Sequence, residues 1–155
     1  MDINTKIPSR GRYFELGETD PSPYIRDAII ELHKRGADFV VIPCNTAHIL
    51  YSNFAKKESF LISSNHYGGD DGIICVPNII DVTAVAVNKM GFSNSMILCT
   101  NSSRKNRIYE DVFDRFGINC FQFPDQVLIS KSIEAVKQNK DVSNIANSVY
   151  DILVV

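Results

Sequence analysis

Short apolar runs alternate with helix-length amphipathic stretches along most of this chain, and that alternation narrows its choice of fold more than any other feature. Phe39 to Ile42, Ile73 to Val76, Ser95 to Thr100 and Ile118 to Phe123 read as strands. The unbroken apolar run from Phe39 to Ile42 fits a strand covered on both faces, as parallel strands are. Ahead of it Ile25, Ala28, Ile29 and Leu32 recur at i, i+3, i+4 and i+7, with Asp20 and Ser22 as caps beside Pro21 and Pro23, and with Gly36 as the stop. Ile79 to Met90 reads as a helix closed by Gly91, and Arg104 to Phe116 as one closed by Gly117, with Tyr109, Val112, Phe113 and Phe116 as its apolar stripe. Gln126 to Gln138 follows, then a polar break at Asn139 to Asp141 and a helix from Ser143 to Tyr150. Ile152 to Val155 reads as the opening of another buried strand, residues 1–12 show no element of their own, and residues 63–72 form a long polar loop. Strands alternating with helices of this length predict an α/β fold with doubly wound parallel sheets, whose ligands bind at the carboxyl ends of the strands.

Charge narrows the partners. The 16 Lys+Arg nearly balance the 18 Asp+Glu, for a net charge of -2, which argues against a nucleic-acid partner and against an anionic membrane surface. With 45% hydrophobic and 22% charged residues the chain has the composition of a folded globular protein. No apolar run approaches the ~18 residues that span a bilayer, and Met1 to Arg12 is polar and basic with no signal-peptide core behind it. The expectation is therefore a cytoplasmic protein with no membrane partner. Cys44, Cys75, Cys99 and Cys120 lie far apart with no C-x-x-C pair, so spacing points to neither a zinc site nor a disulfide framework. Cys75, Cys99 and Cys120 each sit in a short apolar run, where a thiol behaves as a small buried hydrophobe.

Cys44 differs in its setting. Pro43 closes the strand, Cys44 falls at the turn, Asn45 or Thr46 can cap, and Ala47 to Phe54 continues as a helix. Amides of a first helical turn and the helix dipole favour an anion there, which is expected to lower the thiol pKa. A buried thiol in a tight turn is the alternative. His48, four residues on, could pair with the thiol or simply cap and pack, and a Cys44/His48 thiol hydrolase needs a third orienting group that the sequence does not announce. His33 and His66 read as solvated or locally hydrogen-bonded, so no metal site is expected.

The segment Gly36-Ala-Asp-Phe-Val-Val-Ile-Pro-Cys-Asn-Thr-Ala-His48 resembles the first catalytic motif of the cofactor-independent aspartate/glutamate racemase family, closest to its aspartate racemase branch. Two weaker matches flank it in the expected order. Ile7-Pro-Ser-Arg10, followed by Tyr13 and Asp20-Pro21, resembles the loop whose arginine holds the substrate carboxylate; Leu98-Cys99-Thr100 with Ser103, Tyr109 and Phe116-Gly-Ile-Asn resembles the segment that opens the second domain. The resemblance implies two pseudo-symmetric Rossmann-like halves, here residues 1–92 and 93–155, both partial. It implies a racemase that needs no cofactor, neither metal nor pyridoxal phosphate, and that acts on aspartate or glutamate. A thiolate removes the alpha proton while a second thiol delivers one to the opposite face. Carried over by position, Cys44 is one acid/base thiol, Arg10 the bidentate carboxylate clamp, and Asn45, Thr46, Thr100 and Ser103 are hydrogen-bond donors to the substrate.

The family pattern also includes a strand and Gly-rich loop ahead of position 1 and a Gly-Cys-Thr-Glu motif beyond Val155, and neither stands in these 155 residues. The expected fold is thus truncated at both ends. A shortened gene product, a piece of a longer enzyme and a chain completed by another subunit are the three accounts that remain open. Uncovered sheet edges and helix faces then predict poor stability or self-association as a homo-oligomer, a dimer in the simplest case. The alternative to the racemase is a truncated, catalytically inactive homologue that at most binds a dicarboxylate.

Overall fold

The computed structural model describes residues 6–57, 61–62 and 74–153. The polar stretch 63–72, with His66, lies outside them, as do Ile73 and residues 154–155. The chain divides into two compact units, Met1–Gly91 and Phe92–Val155.

In the first unit α1 (Arg10–Leu16), α2 (Ser22–Lys34) and α3 (Asn45–Ala55) precede two short strands, β1 (Leu61–Ile62) and β2 (Ile74–Cys75), and α4 (Ile79–Lys89) follows. Helix α1 corrects the expectation that residues 1–12 hold no element. The Ser9 side chain accepts the Arg12 N–H, and Gly17, left-handed at φ 67, returns its N–H to the Tyr13 carbonyl, so both ends of a short helix are satisfied. Helix α2 follows its predicted course: Asp20 accepts the Ser22 N–H at 2.8 Å, and Ile25 and Ile29 are buried. At its end Gly36 takes φ 92, with its own N–H on the His33 carbonyl and that of Ala37 on Leu32, a Schellman closure.

The apolar run at 39–42 differs from the expectation of a strand covered on both faces. It pairs with β2 in parallel through Phe39 and Cys75 alone, with Val40 N–H on the Cys75 carbonyl and Cys75 N–H on that of Asp38. Its side chains alternate: Val40 is buried and Ile42 packs on the core, whereas Phe39 and Val41 are 43% and 54% exposed. β2 therefore lies between this run and β1, with which it pairs in parallel, Leu61 opposite Ile74 and Ile62 opposite Cys75. Ile25, Ile29, Val40, Leu50, Tyr51, Ile74 and Val76 form the core around this sheet. Each fully buried aliphatic side chain there is worth roughly 1.5–3 kcal/mol.

In the second unit β3 (Asn94–Ile97) and β4 (Asn119–Gln122) pair in parallel, Ser95 opposite Cys120 and Ile97 opposite Gln122. The single helix expected over 104–116 is instead two, α5 (Asn101–Lys105) and α6 (Glu110–Asp114). Thr100 caps α5 earlier than the periodicity implied, and Arg107 at φ 48 ends it, with Arg107 N–H on the Arg104 carbonyl and Ile108 N–H on that of Ser103. This too is a Schellman closure, built without glycine, so no breaker marked it. Val112 and Phe113 of the predicted stripe are buried. Helix α7 (Gln126–Lys137) keeps the predicted start, and Asn139, left-handed at φ 53, separates it from α8 (Ser143–Leu153). Because α8 runs on to Leu153, Ile152 belongs to a helix and not to the strand that its apolar run implied. No helix among the described residues is long and apolar enough to cross a membrane.

Candidate functional site

Ile42 ends the extended run, and the chain reverses within three residues. The Cys44 N–H donates to the Ile42 carbonyl at 2.8 Å, which closes a γ-turn around Pro43. The ring of proline already holds φ near the value such a turn needs, about -75°. Cys44 leaves the turn extended, at φ -152 and ψ 108, as the N-cap of α3, and its carbonyl accepts the Ala47 N–H at 3.1 Å. The cap is therefore Cys44, not Asn45 or Thr46, which occupy the first two helical positions. Sγ takes no capping hydrogen bond, and the residue is half-buried against the core.

His48 lies on the first turns of α3 and is only 1% exposed. Its Nε2–H donates to the same Ile42 carbonyl at 3.0 Å, while its Nδ1 has no partner. Burial holds its pKa below the usual histidine value; the bond to Ile42 and the charge of Asp81 oppose that shift. The ring meets Tyr51 edge to face, with centroids 6.4 Å apart. Sequence reasoning raised His48 as a partner for Cys44, but its Nε2 serves the backbone instead.

Arg10 opens α1, and its guanidinium donates to the Pro8 carbonyl at 3.3 Å. Thr46 is 8% exposed. The structure thus brings Cys44, Asn45 and Thr46 into one helix start, with Arg10 on α1, which packs against α3. Thr100 and Ser103 belong to the second unit and bind each other there. The Thr100 hydroxyl accepts the Ser103 N–H at 3.2 Å and donates to Ser103 Oγ at 3.0 Å, and Ser103 is 2% exposed.

Other groups of the second unit escaped sequence reasoning. Gln126 donates to the Cys99 carbonyl at 3.0 Å and accepts from Arg104 at 3.1 Å, while Arg104 also donates to the Phe123 carbonyl at 3.3 Å. These contacts join the carboxyl ends of β3 and β4, and only the Arg104 charge beside a strand end signals them in the sequence. Beneath the same strands Gln122 Nε2 donates to Glu110, and the Cys99 thiol lies 3.9 Å from Gln122 Oε1. Burial, then the Glu110 charge, raises the Cys99 pKa; the same two causes push Cys120 up to about 11. Burial likewise pushes Tyr109 up to about 12. All four cysteines are free thiols, and no group of His, Cys, Asp or Glu among the described residues is arranged to hold a metal.

No protein-family model matches the sequence. Among solved structures the chain is similar to the Picrophilus torridus aspartate racemase, with a TM-score of 0.73 and 29% sequence identity over 96% of this chain and 56% of that one. It therefore spans little more than half the length of that racemase, and over that span the two share a racemase-like α/β fold with small parallel sheets.

Proposed function

We propose that the chain carries the chemistry of a cofactor-independent amino-acid racemase of the aspartate/glutamate type, with Cys44 as an acid/base thiol. The observation that carries this reading is the place of Cys44, the N-cap of α3 directly after the extended run 39–42 and its closing turn, in a fold similar to that of an aspartate racemase. In the reaction a thiolate takes the alpha proton, the electron pair is held at the alpha carbon and its carboxylate, and a thiol on the opposite face returns a proton, so no oxidant or cofactor is consumed. The carbanionic charge needs donors on the carboxylate. Arg10 supplies the clamp, and Asn45 and Thr46 supply hydrogen bonds; the resemblance assigns the same donor role to Thr100 and Ser103 in a fold of two Rossmann-like halves. A reducing cytoplasm suits a mechanism that needs a free thiol. The exposed Phe39, Val41, Met96, Leu98 and Phe121 support a homodimer, and a monodisperse monomer by light scattering across concentration would count against it.

The test is isotopic. In deuterated water, L-aspartate or L-glutamate gains alpha deuterium and changes handedness, and Cys44→Ala abolishes both; full activity in that variant refutes the assignment. A second reading is an inactive homologue that at most binds a dicarboxylate. What favours it is the burial of Cys99 and Cys120, which raises both thiol pKa values and so disfavours a thiolate at either. It predicts dicarboxylate binding weakened by Arg10→Ala, with no isotope exchange in any variant.

A further inference from the structure

The turn that presents Cys44 is closed by one carbonyl with two donors. The Ile42 carbonyl accepts the Cys44 N–H from within the turn and the His48 Nε2–H from the helix that follows, at 2.8 and 3.0 Å. The first bond sets the local bend, and the second ties that bend to α3. Because His48 is 1% exposed, water does not compete for this contact. The partnerless Nδ1 then decides the tautomer. A proton on Nε2 gives the carbonyl a donor and leaves only a lone pair on Nδ1. A proton on Nδ1 would set two lone pairs against each other at Ile42 and bury an N–H with no acceptor, which is the costlier arrangement. A doubly protonated ring would bury the same unsatisfied N–H together with a charge, a cost that the Ile42 bond and the Asp81 charge oppose.

We propose that His48 is a positioning residue for Cys44: as a neutral ring protonated on Nε2, it locks the Ile42-Pro43-Cys44 turn and so fixes where the thiol stands. Its catalytic consequence rests on the racemase reading. A thiol that must meet an alpha C–H at contact distance loses about 10²-fold in rate when misplaced by about 1 Å. With Nε2 committed to the carbonyl, the only ring atom left to act as a base in a Cys44/His48 hydrolase is the buried Nδ1.

Backbone amide exchange by mass spectrometry tests the lock without reference to activity. In His48→Leu the peptide covering residues 40–48 should exchange about fivefold faster, the equivalent of one lost hydrogen bond, while α2 and the second unit stay unchanged. His48→Gln, whose carboxamide offers an N–H at similar reach, should return to within about twofold of the parent chain. Faster exchange spread evenly through the first unit, or no local change, overturns the proposal. In the isotope assay His48→Leu should lose about 10²-fold in kcat with KM nearly constant, and an unchanged kcat would overturn the catalytic part. If the parent chain exchanges no alpha proton, the racemase reading fails, and amide exchange still decides the lock. Should the leucine variant fail to fold, the ring nitrogens of the parent chain remain readable by NMR. A bare Nδ1 with a protonated Nε2 at neutral pH upholds the proposal, and an Nδ1-protonated ring refutes it.

Discussion

Gln126→Leu isolates the network that joins the carboxyl ends of β3 and β4. Leucine keeps the helix and much of the volume, but it removes the donor to the Cys99 carbonyl and the acceptor for Arg104, bonds of 3.0 and 3.1 Å. A neutral amide bond contributes about 1 kcal/mol and one to a charged group about 1.5–3 kcal/mol. Arg104 retains the Phe123 carbonyl and Gln126 is only half-buried, so water and the remaining partner recover part of this. The net cost is about 2 kcal/mol, which for a chain of this size is a fall of about 4–8 °C in Tm. Two compact units need not melt together, so circular dichroism should be paired with amide exchange in residues 94–122, where the loss must concentrate. Val127→Ala is the control, since Val127 is next in sequence but 65% exposed, and it should cost under about 0.5 kcal/mol. If Gln126→Leu costs no more than that control, the bridge between the strand ends contributes nothing to stability.

Thr100→Ala removes the cap of α5 and the hydroxyl bound to Ser103, and should destabilise the second unit by about 1 kcal/mol in urea unfolding. Burial lowers the His48 pKa, so the unfolded chain binds that proton more readily than the folded one. Its stabilising contribution is complete above the unfolded value of about 6.5 and is lost as pH falls from there toward the folded value; thermal melts of His48→Gln should lack that acidic slope. Cys99 and Cys120 remain protonated at neutral pH, so site-resolved alkylation should be slow at both, with Cys120 gaining rate only as pH approaches 11. Rapid labelling of Cys120 at neutral pH would contradict the burial described for it.

Elements with their own punctuation were legible in the sequence. Asp20, the repeat of Ile25 and Ile29, and Gly36 specify α2 locally, because cap, apolar face and stop all lie within the segment. Helix α5 was not legible, since Arg107 adopts the left-handed state that usually advertises itself as glycine; what holds it there is the pair of closing bonds to Arg104 and Ser103. Helix α1 carried its signals, Ser9 and Gly17, but only seven residues between them, too few for a period to stand out. Ile152 shows the opposite failure. An apolar run alone does not distinguish strand from helix, and here α8 takes in Ile152 and Leu153. The run at 39–42 was recognised as extended, yet its composition could not reveal that only Val40 and Ile42 turn inward.

The same limit separates Cys44 from His48. Its position after an apolar strand and before a helix was enough to single out Cys44, because strand, proline and helix start are consecutive in sequence. Pairing it with His48 assumed that residues four apart share a helix face, a rule that holds only when both are inside the helix. Cys44 is the N-cap and takes extended backbone angles, so its side chain leaves the axis in a direction the helical period does not describe. The imidazole reaches instead across the turn to a carbonyl six residues earlier. That carbonyl is within reach because Pro43 folds the chain back in one step, so the partner of a helical side chain is decided here by a bend that precedes the helix.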